Sequence, residues 1–352
     1  MADNQKSKTY LMTGATGFLG RHVLETLEAD KTANTVAILR SFDSWDGQSW
    51  VEGLSRTRAI EAPLTAVDMI GGQLADCGVE QVDGLFHFAG LVHHSRRDPD
   101  ELYETNVQGT LAMVRLAARY QARMIFVSTS GVVGCFERGD EWADEHSAYR
   151  PAPVKRWPYY DSKLSAERQA RELARELGVE LVVIRPPVLL GPGDHRFRST
   201  GHIIKMLRKK LPFLIQGGIH FIDVRDASRA MVRAMGLESV REVYHLVGTD
   251  CGITDFFDMV KEVSGVEPPR AILPYRAAHT LASAAEMANR ILPGDGISVP
   301  DPVVVEMASR YWGLKSRYSE KDLGYASREP LQTLADTVVW LRNNHPELSA
   351  DN

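Results

Sequence analysis

Apolar positions along this chain fall into two alternating rhythms. Short runs at 9–13 (TYLMT), 35–39 (TVAIL), 64–67, 84–88, 124–128 (MIFVS) and 181–185 (LVVIR) read as strands. Their near-continuous apolar character suits strands covered on both faces. Between them the spacing predicts helices from Leu19 to about Glu28, over Leu102–Tyr120 and over Ser162–Leu177, and Pro186-Pro187 closes the series. This alternation implies βαβ crossovers, hence an α/β fold with a doubly wound parallel sheet. Past residue 190 the rhythm breaks up: Gly, Pro and Arg accumulate and residues 254–328 lose the alternation. The expectation is a main domain over 8–190, with returning segments at about 217–250 and 330–345. A smaller, mostly helical C-terminal lobe then takes 191–216 and 251–329, and Val243–Val247 forms a late strand of the main sheet.

Composition narrows the function classes. The 352 residues are 44% hydrophobic and 25% charged, with a formal net charge of -5. That balance argues against a nucleic-acid partner, which calls for clustered positive charge. The basic run Lys205–Lys210 reads as a solvated helix face. Cys77, Cys135 and Cys251 lie far apart and form no metal-type pair, and His93-His94 lacks neighbouring ligands, so no metal site is expected. The N-terminus is polar, without the apolar region of a secretory signal, and no run approaches a membrane span. A cytoplasmic enzyme is expected.

The first chemistry-bearing motif follows the first strand. Gly14, Gly17 and Gly20 stand in GATGFLG at a strand-to-helix turn. There glycines give a tight turn, a close approach to a pyrophosphate and close helix packing, and the helix N-terminus favours phosphate. Thr16, Phe18 and Leu19 fill the same loop. At the end of the second strand, where a carboxylate would bind a ribose 2′-hydroxyl, stands Arg40; the first carboxylate beyond it is Asp43. An arginine fork suits a 2′-phosphate, which favours NADP (NADPH) over NAD.

The G-x-x-G-x-x-G spacing resembles the extended branch of the short-chain dehydrogenase/reductase superfamily, the NAD-dependent epimerase/dehydratase-like enzymes on a Rossmann fold. Further motifs in the family's order carry the resemblance: HFAG (87–90), NVQGT (106–110), STS (128–130), YYDSK (159–163), RPPVLLGPGD (185–194) and FIDVRDASRA (221–230). It covers nearly the whole chain and implies further cofactor contacts at Asp68 and Met69 near the adenine. It also implies contacts at Phe88, Ala89, Gly90, Ser128, Lys163, Pro186 and Val188.

Tyr159 and Lys163 are one helical turn apart and share a face. A free tyrosine, with a pKa near ~10, is a poor base at neutral pH, and a neighbouring ammonium lowers that value. Tyr159 would then exchange a proton with a carbonyl or alcohol oxygen while Lys163 holds the nicotinamide ribose. Tyr160 faces Leu164 at that step and reads as a packing or pocket residue. The third member is a hydroxyl that clamps the substrate oxygen; by the resemblance it falls on Thr129, with Ser130 as the other candidate. Asn106 would position backbone and lysine.

The resemblance also weighs the reactions. Sugar dehydratases of the family carry Asp-Glu after the catalytic threonine, where this chain has Ser130-Gly131. Its nucleotide-sugar enzymes place an arginine before the FIDVRD-like strand, where this chain has Gly217-Gly218-Ile219-His220. The apolar segments Ala271–Pro293 and Pro302–Trp312 resemble the lobes of hydroxysteroid dehydrogenase-like and β-keto acid reductase members. They either line a pocket for an apolar substrate or pack the lobe's own core. The insertion Phe136–Pro158, with Trp142, Tyr149 and Trp157, is a candidate substrate cover. The expected reaction interconverts a ketone and a secondary alcohol on a hydrophobic small molecule. The alternatives are a nucleotide-sugar epimerase with tightly bound NAD and a non-catalytic dinucleotide sensor. Family likeness further implies a homodimer through the helices at 102–120 and 162–177.

Overall fold

The computed structural model describes residues 7–31, 33–93, 99–291 and 302–348. The first half of the chain gives five strands, β1 (Lys8–Thr13), β2 (Ala33–Leu39), β3 (Thr57–Glu61), β4 (Gly84–His87) and β5 (Arg123–Val127). With them alternate the helices α1 (Phe18–Asp30), α2 (Val67–Asp76), α3 (Pro99–Tyr103) and α4 (Gly109–Tyr120). A π-helical stretch, Glu104–Gln108, joins α3 to α4. Then come α5 (Pro151–Val154), α6 (Pro158–Leu177), β6 (Leu181–Arg185), β7 (Val188–Leu190), α7 (Gly201–Leu207), β8 (Leu214–Ile215) and β9 (Gly218–Asp223). The remainder holds α8 (Val224–Gly236), β10 (Val243–His245), β11 (Thr249–Gly252), α9 (Ile253–Ser264), β12 (Ile272–Leu273) and α10 (Tyr275–Ile291). It ends with α11 (Pro302–Ala308), α12 (Ser319–Leu323) and α13 (Pro330–Asn344).

Seven strands form one parallel sheet in the order β3-β2-β1-β4-β5-β6-β10. The order reverses between β1 and β4, and the crevice at such a switch point is where open α/β sheets bind ligands. Each central strand serves two cores. Met12, Ile125, Val182 and Ile184 pack beneath α1 and α8, whereas Leu11, Met124, Phe126 and Val183 pack beneath α2, α4 and α6. Burial of each such side chain contributes roughly 1.5–3 kcal/mol. The late strand β10 closes the sheet beside β6, as its apolar run predicts.

One strand lies elsewhere than expected. Residues 64–67 are not a strand: Leu64–Ala66 form a loop and Val67 opens α2. The third strand is the preceding TRAIE, which pairs only with β2 at the sheet edge. An edge strand wets one side, so Arg58 and Glu61 hide its apolar signal. Pro63 lacks the N–H that a ladder there would need.

Beyond β6 the chain builds a three-stranded sheet, β11-β9-β7, and a two-stranded one, β12-β8. Leu190, Ile203, Phe221, Phe256, Leu334 and Val338 share a core that joins β7, α7, β9, α9 and α13. Ala278 and Ala282 of α10 pack with Ile215 and Val305, so this part of the apolar segment at 271–293 fills a core of its own. Residues 1–6, His94 and the Leu292-Pro293 end of that segment lie outside the described residues.

Candidate active site

The phosphate loop is shaped by steric need. Gly14 has a φ of +73° and lies under the end of β4, where an added Cβ would meet the Ala89 nitrogen at 2.6 Å. At Gly20 a Cβ would stand 2.2 Å from the Gly14 carbonyl oxygen, so no other residue lets α1 sit this close. Gly17 caps α1 without a side-chain hydrogen bond, and the first turn of α1 holds no acidic residue. An open, positively poled helix end above a glycine cradle fits a pyrophosphate. Thr16 and Phe18 are half-buried in the loop, while Leu19 turns into the core.

Around the cradle the edges of β2 and β4 present the other expected contacts. Arg40 is exposed directly after β2. Ser41 then caps a short turn by accepting from Asp43 N, and Phe42 N donates to Glu61 Oε2 at 2.8 Å, which ties up the nearest β3 carboxylate. Phe88 and Ala89 are half-buried at the end of β4, Pro186 O accepts from Ser130 N at 2.9 Å, and Val188 opens β7. Asp68 and Met69 are exposed in the first turn of α2, and Asp68 pairs with Arg119 at 3.4 Å.

The catalytic candidates converge from three elements. Tyr159 and Lys163 lie on α6, whose start is set by Pro158 in its first turn. Lys163 is buried, and its Nζ donates to Val127 O at 2.7 Å at the end of β5. Burial pushes its pKa down to about 8, against the pull of Glu167. Burial likewise pushes Tyr159 up to about 12. The lowering expected for Tyr159 is therefore not supplied by the protein groups alone, because desolvation sets the shift. An oxidised nicotinamide would add positive charge at this place.

Thr129 follows β5 and caps the single 3₁₀ turn Ser130–Val132, its Oγ1 accepting from Gly131 N at 3.3 Å. That bond occupies an acceptor site of the hydroxyl and leaves its O–H to donate, the polarity a carbonyl clamp needs. Ser130 is buried, and the Ser128 Oγ donates away from the crevice, to Glu167 Oε2 at 2.5 Å. Gly131 brings the segment against α6: an added Cβ would lie 2.1 Å from Cε1 of Tyr160.

Asn106 positions the floor. Its amide accepts from Leu91 N at 2.8 Å and donates to Leu91 O at 3.1 Å and to Ser162 Oγ at 2.9 Å. Ser162 in turn donates to Tyr159 O at 2.7 Å. Gly90 lies beside it, where an added Cβ would approach Asn106 Oδ1 at 3.1 Å and Lys163 Nζ at 3.9 Å.

Two supporting networks had no sequence argument. In the first, Ala89 N donates to Thr13 Oγ1, whose hydroxyl contacts His87 Nδ1 at 2.7 Å. His87 Nε2 contacts Thr110 Oγ1 at 3.0 Å, and that hydroxyl donates to Asn106 O. The donors resolve only if Thr13 donates to Nδ1 and His87 carries its proton on Nε2, a neutral ring. Burial pushes its pKa down to about 3. In the second, Glu167 takes Ser128, Tyr149 (2.9 Å) and the Arg185 guanidinium (2.5 Å). Burial opposes its charge, yet Arg185 and these hydrogen bonds hold the carboxyl below its ordinary range. The one legible signal was Glu167 standing a turn beyond Lys163. Tyr149 is thereby committed to this network, and Trp157 is buried, so neither covers the crevice; Trp142 is exposed beneath Lys315.

A model of the NAD dependent epimerase/dehydratase family matches residues 10–247. The chain belongs to this family. Among its relatives, a ketoreductase of Aspergillus niger is 27% identical over 363 residues, covering 95% of this chain and 97% of its own. A Stigmatella aurantiaca ketoreductase of a farnesylated dihydroquinoline oxide is 26% identical over 333 residues, with coverage of 93% and 94%. In three dimensions the chain is similar to a UDP-glucuronic acid 4-epimerase from Bacillus cereus in complex with NAD. That likeness has a TM-score of 0.72 at 18% identity and covers 96% of this chain and 97% of that one. The fold is thus Rossmann-like, and the chain is an NAD(P)-dependent enzyme of the type that acts at CH–OH carbons. No helix among the described residues is long and apolar enough to cross a membrane.

Proposed function

We propose that this enzyme interconverts a ketone and a secondary alcohol on a hydrophobic small molecule with NADP(H). The observation that supports the reading is the packing of Gly131 against Tyr160, which brings the loop carrying Thr129 against the first turn of α6, where Tyr159 lies. Two O–H donors can then meet one carbonyl oxygen. Tyr159 gives or takes the proton, Thr129 polarises the carbonyl, and Asn106, through Ser162, holds the Tyr159 backbone. Gly14, Gly17 and Gly20 cradle the pyrophosphate, and Lys163 reaches toward the ribose beside Gly90. When bound, the nicotinamide supplies or accepts the hydride.

Two features favour an apolar substrate. The β9 positions Ile219 and His220 are buried and carry no cation for a diphosphate, and relatives matching over nearly the full length bear ketoreductase names. Arg40 supports NADP over NAD, since it stands directly after β2, where a carboxylate would bind a ribose 2′-hydroxyl. In this reading residues 191–216 and 251–329 supply the substrate lobe.

The test is steady-state turnover of apolar ketones with NADPH and NADH, alongside UDP-sugar epimerisation without added cofactor. Ketone reduction that prefers NADPH is expected. Epimerisation with retained NAD and no net turnover of NADPH would replace the reading with the epimerase one.

A further inference from the structure

The C-terminal segment Tyr311–Lys315 is bound as a strap to the insertion that separates Thr129 from Tyr159. Phe136 and Tyr311 exchange both backbone hydrogen bonds, at 2.8 and 3.0 Å, Ala143 N donates to Gly313 O at 3.0 Å, and Lys315 N donates to Ala143 O at 2.8 Å. Gly313 passes so close that an added Cβ would stand 2.4 Å from Glu141 O. A strap held on both sides of one residue leaves that residue little freedom, and the residue is Trp312.

Its indole stacks on Tyr160, with centroids 5.3 Å apart and planes inclined by 22°. Tyr160 meets Tyr159 edge-on at 5.0 Å. Behind both lies Trp157, which is only 1% exposed and donates from Nε1 to Glu306 Oε2 at 3.0 Å. Trp157 is therefore core, whereas Trp312 is half-buried and keeps one part of its surface open. A row of rings leads from that open indole to the phenol of Tyr159. On the Thr129 side the row is closed by Gly131, where a Cβ would meet Tyr160 at 2.1 Å and Trp312 at 3.1 Å. Position 131 can present no acid or base, and the wall beside the clamp is aromatic.

We propose that Trp312 is the specificity-determining residue of this site: the open part of its indole takes the apolar skeleton of a substrate whose carbonyl lies at Tyr159. Flat, fused or branched apolar ketones gain stacking area there. An anionic flank is desolvated against ring faces that offer it no counter-charge, and is rejected. The inference rests on the ketone–alcohol reading.

The test compares a bicyclic apolar ketone with a small acyclic one, both with NADPH, in wild type, Trp312→Ala and Trp312→Phe. Loss of one buried apolar contact changes discrimination by roughly 10- to 200-fold. Trp312→Ala should lower the bicyclic-to-acyclic ratio of kcat/KM by about 10-fold or more, mainly through KM. Trp312→Phe, which keeps a ring on Tyr160, should restore most of that ratio. Bound NADPH, read by fluorescence titration, reports folding and an intact cradle in each variant. An unchanged ratio in both variants, or an equal fall of kcat/KM for both ketones, overturns the inference alone. Absence of ketone turnover by the wild type overturns the ketone–alcohol reading, and this inference with it.

Discussion

At Tyr159 and Lys163 burial works against charge on both partners, and each shift has a measurable sign. Lys163 is held at about 8 against its ordinary 10.5. Between those values the unfolded chain binds the extra proton, so this residue's contribution to stability rises with pH across the window. Urea midpoints of the cofactor-free protein at pH 8 and 9.5 should therefore shift more favourably in wild type than in Lys163→Met. Tyr159, raised to about 12, acts oppositely above its unfolded value of about 10, which is why the comparison stops short of it. Tyr159→Phe should reduce turnover by about 10²- to 10⁴-fold, the usual worth of a positioned proton donor, with NADPH binding retained. Glu167→Gln leaves Arg185, only 2% exposed, without its counter-charge. Breaking such a pair costs about 3–5 kcal/mol, readable in a denaturation curve, and a loss below about 1 kcal/mol would show that the neutral amide suffices.

Among the elements, α1 depends most on a single atom's absence. Gly20→Ala places a methyl group on the Gly14 carbonyl oxygen, which must move α1 or the loop; overpacking of this kind costs about 1–3 kcal/mol. NADPH affinity should fall with stability, and an unchanged dissociation constant would show that the cradle adapts. Such constraints were readable in the sequence, because glycines at a strand-to-helix turn have one physical explanation. The buried strands β1, β2, β4, β5 and β6 were readable for the same kind of reason: covered on both faces, they are apolar throughout. The edge strand β3 was not, since water on one side erases the signal. The resemblance assigns Asp68 to the adenine, and its pairing with Arg119 across α2 and α4 is a contact 51 residues apart that no local pattern shows. Networks such as Thr13–His87–Thr110 were hidden because they link residues 23 and 74 apart. The strap was hidden too, since its partners are backbone groups that any sequence supplies.

For the molecule as a whole, acid is the predicted weakness. Burial holds His87 at about 3 and His202, His220 and His245 at about 4. The unfolded chain binds these protons first, so stability is lost as pH falls from 6.5 toward 4, each histidine adding about 1.4 kcal/mol per pH unit. His202 packs on Phe256 and Phe257, and its Nε2 has no hydrogen-bond partner, so His202→Leu should flatten the acid limb of a pH–stability curve. A homodimer through α4 and α6 would show as twice the 39.2 kDa chain mass in light scattering. The strap matters at this scale as well. The family model ends at residue 247 and Trp312 lies beyond it, whereas Thr129, Tyr159 and Lys163 lie within it. On the proposed reading, reactivity and substrate choice are then written in separate parts of the gene, and a change in the codons around position 312 would retune what is accepted while the proton-transfer residues are inherited intact.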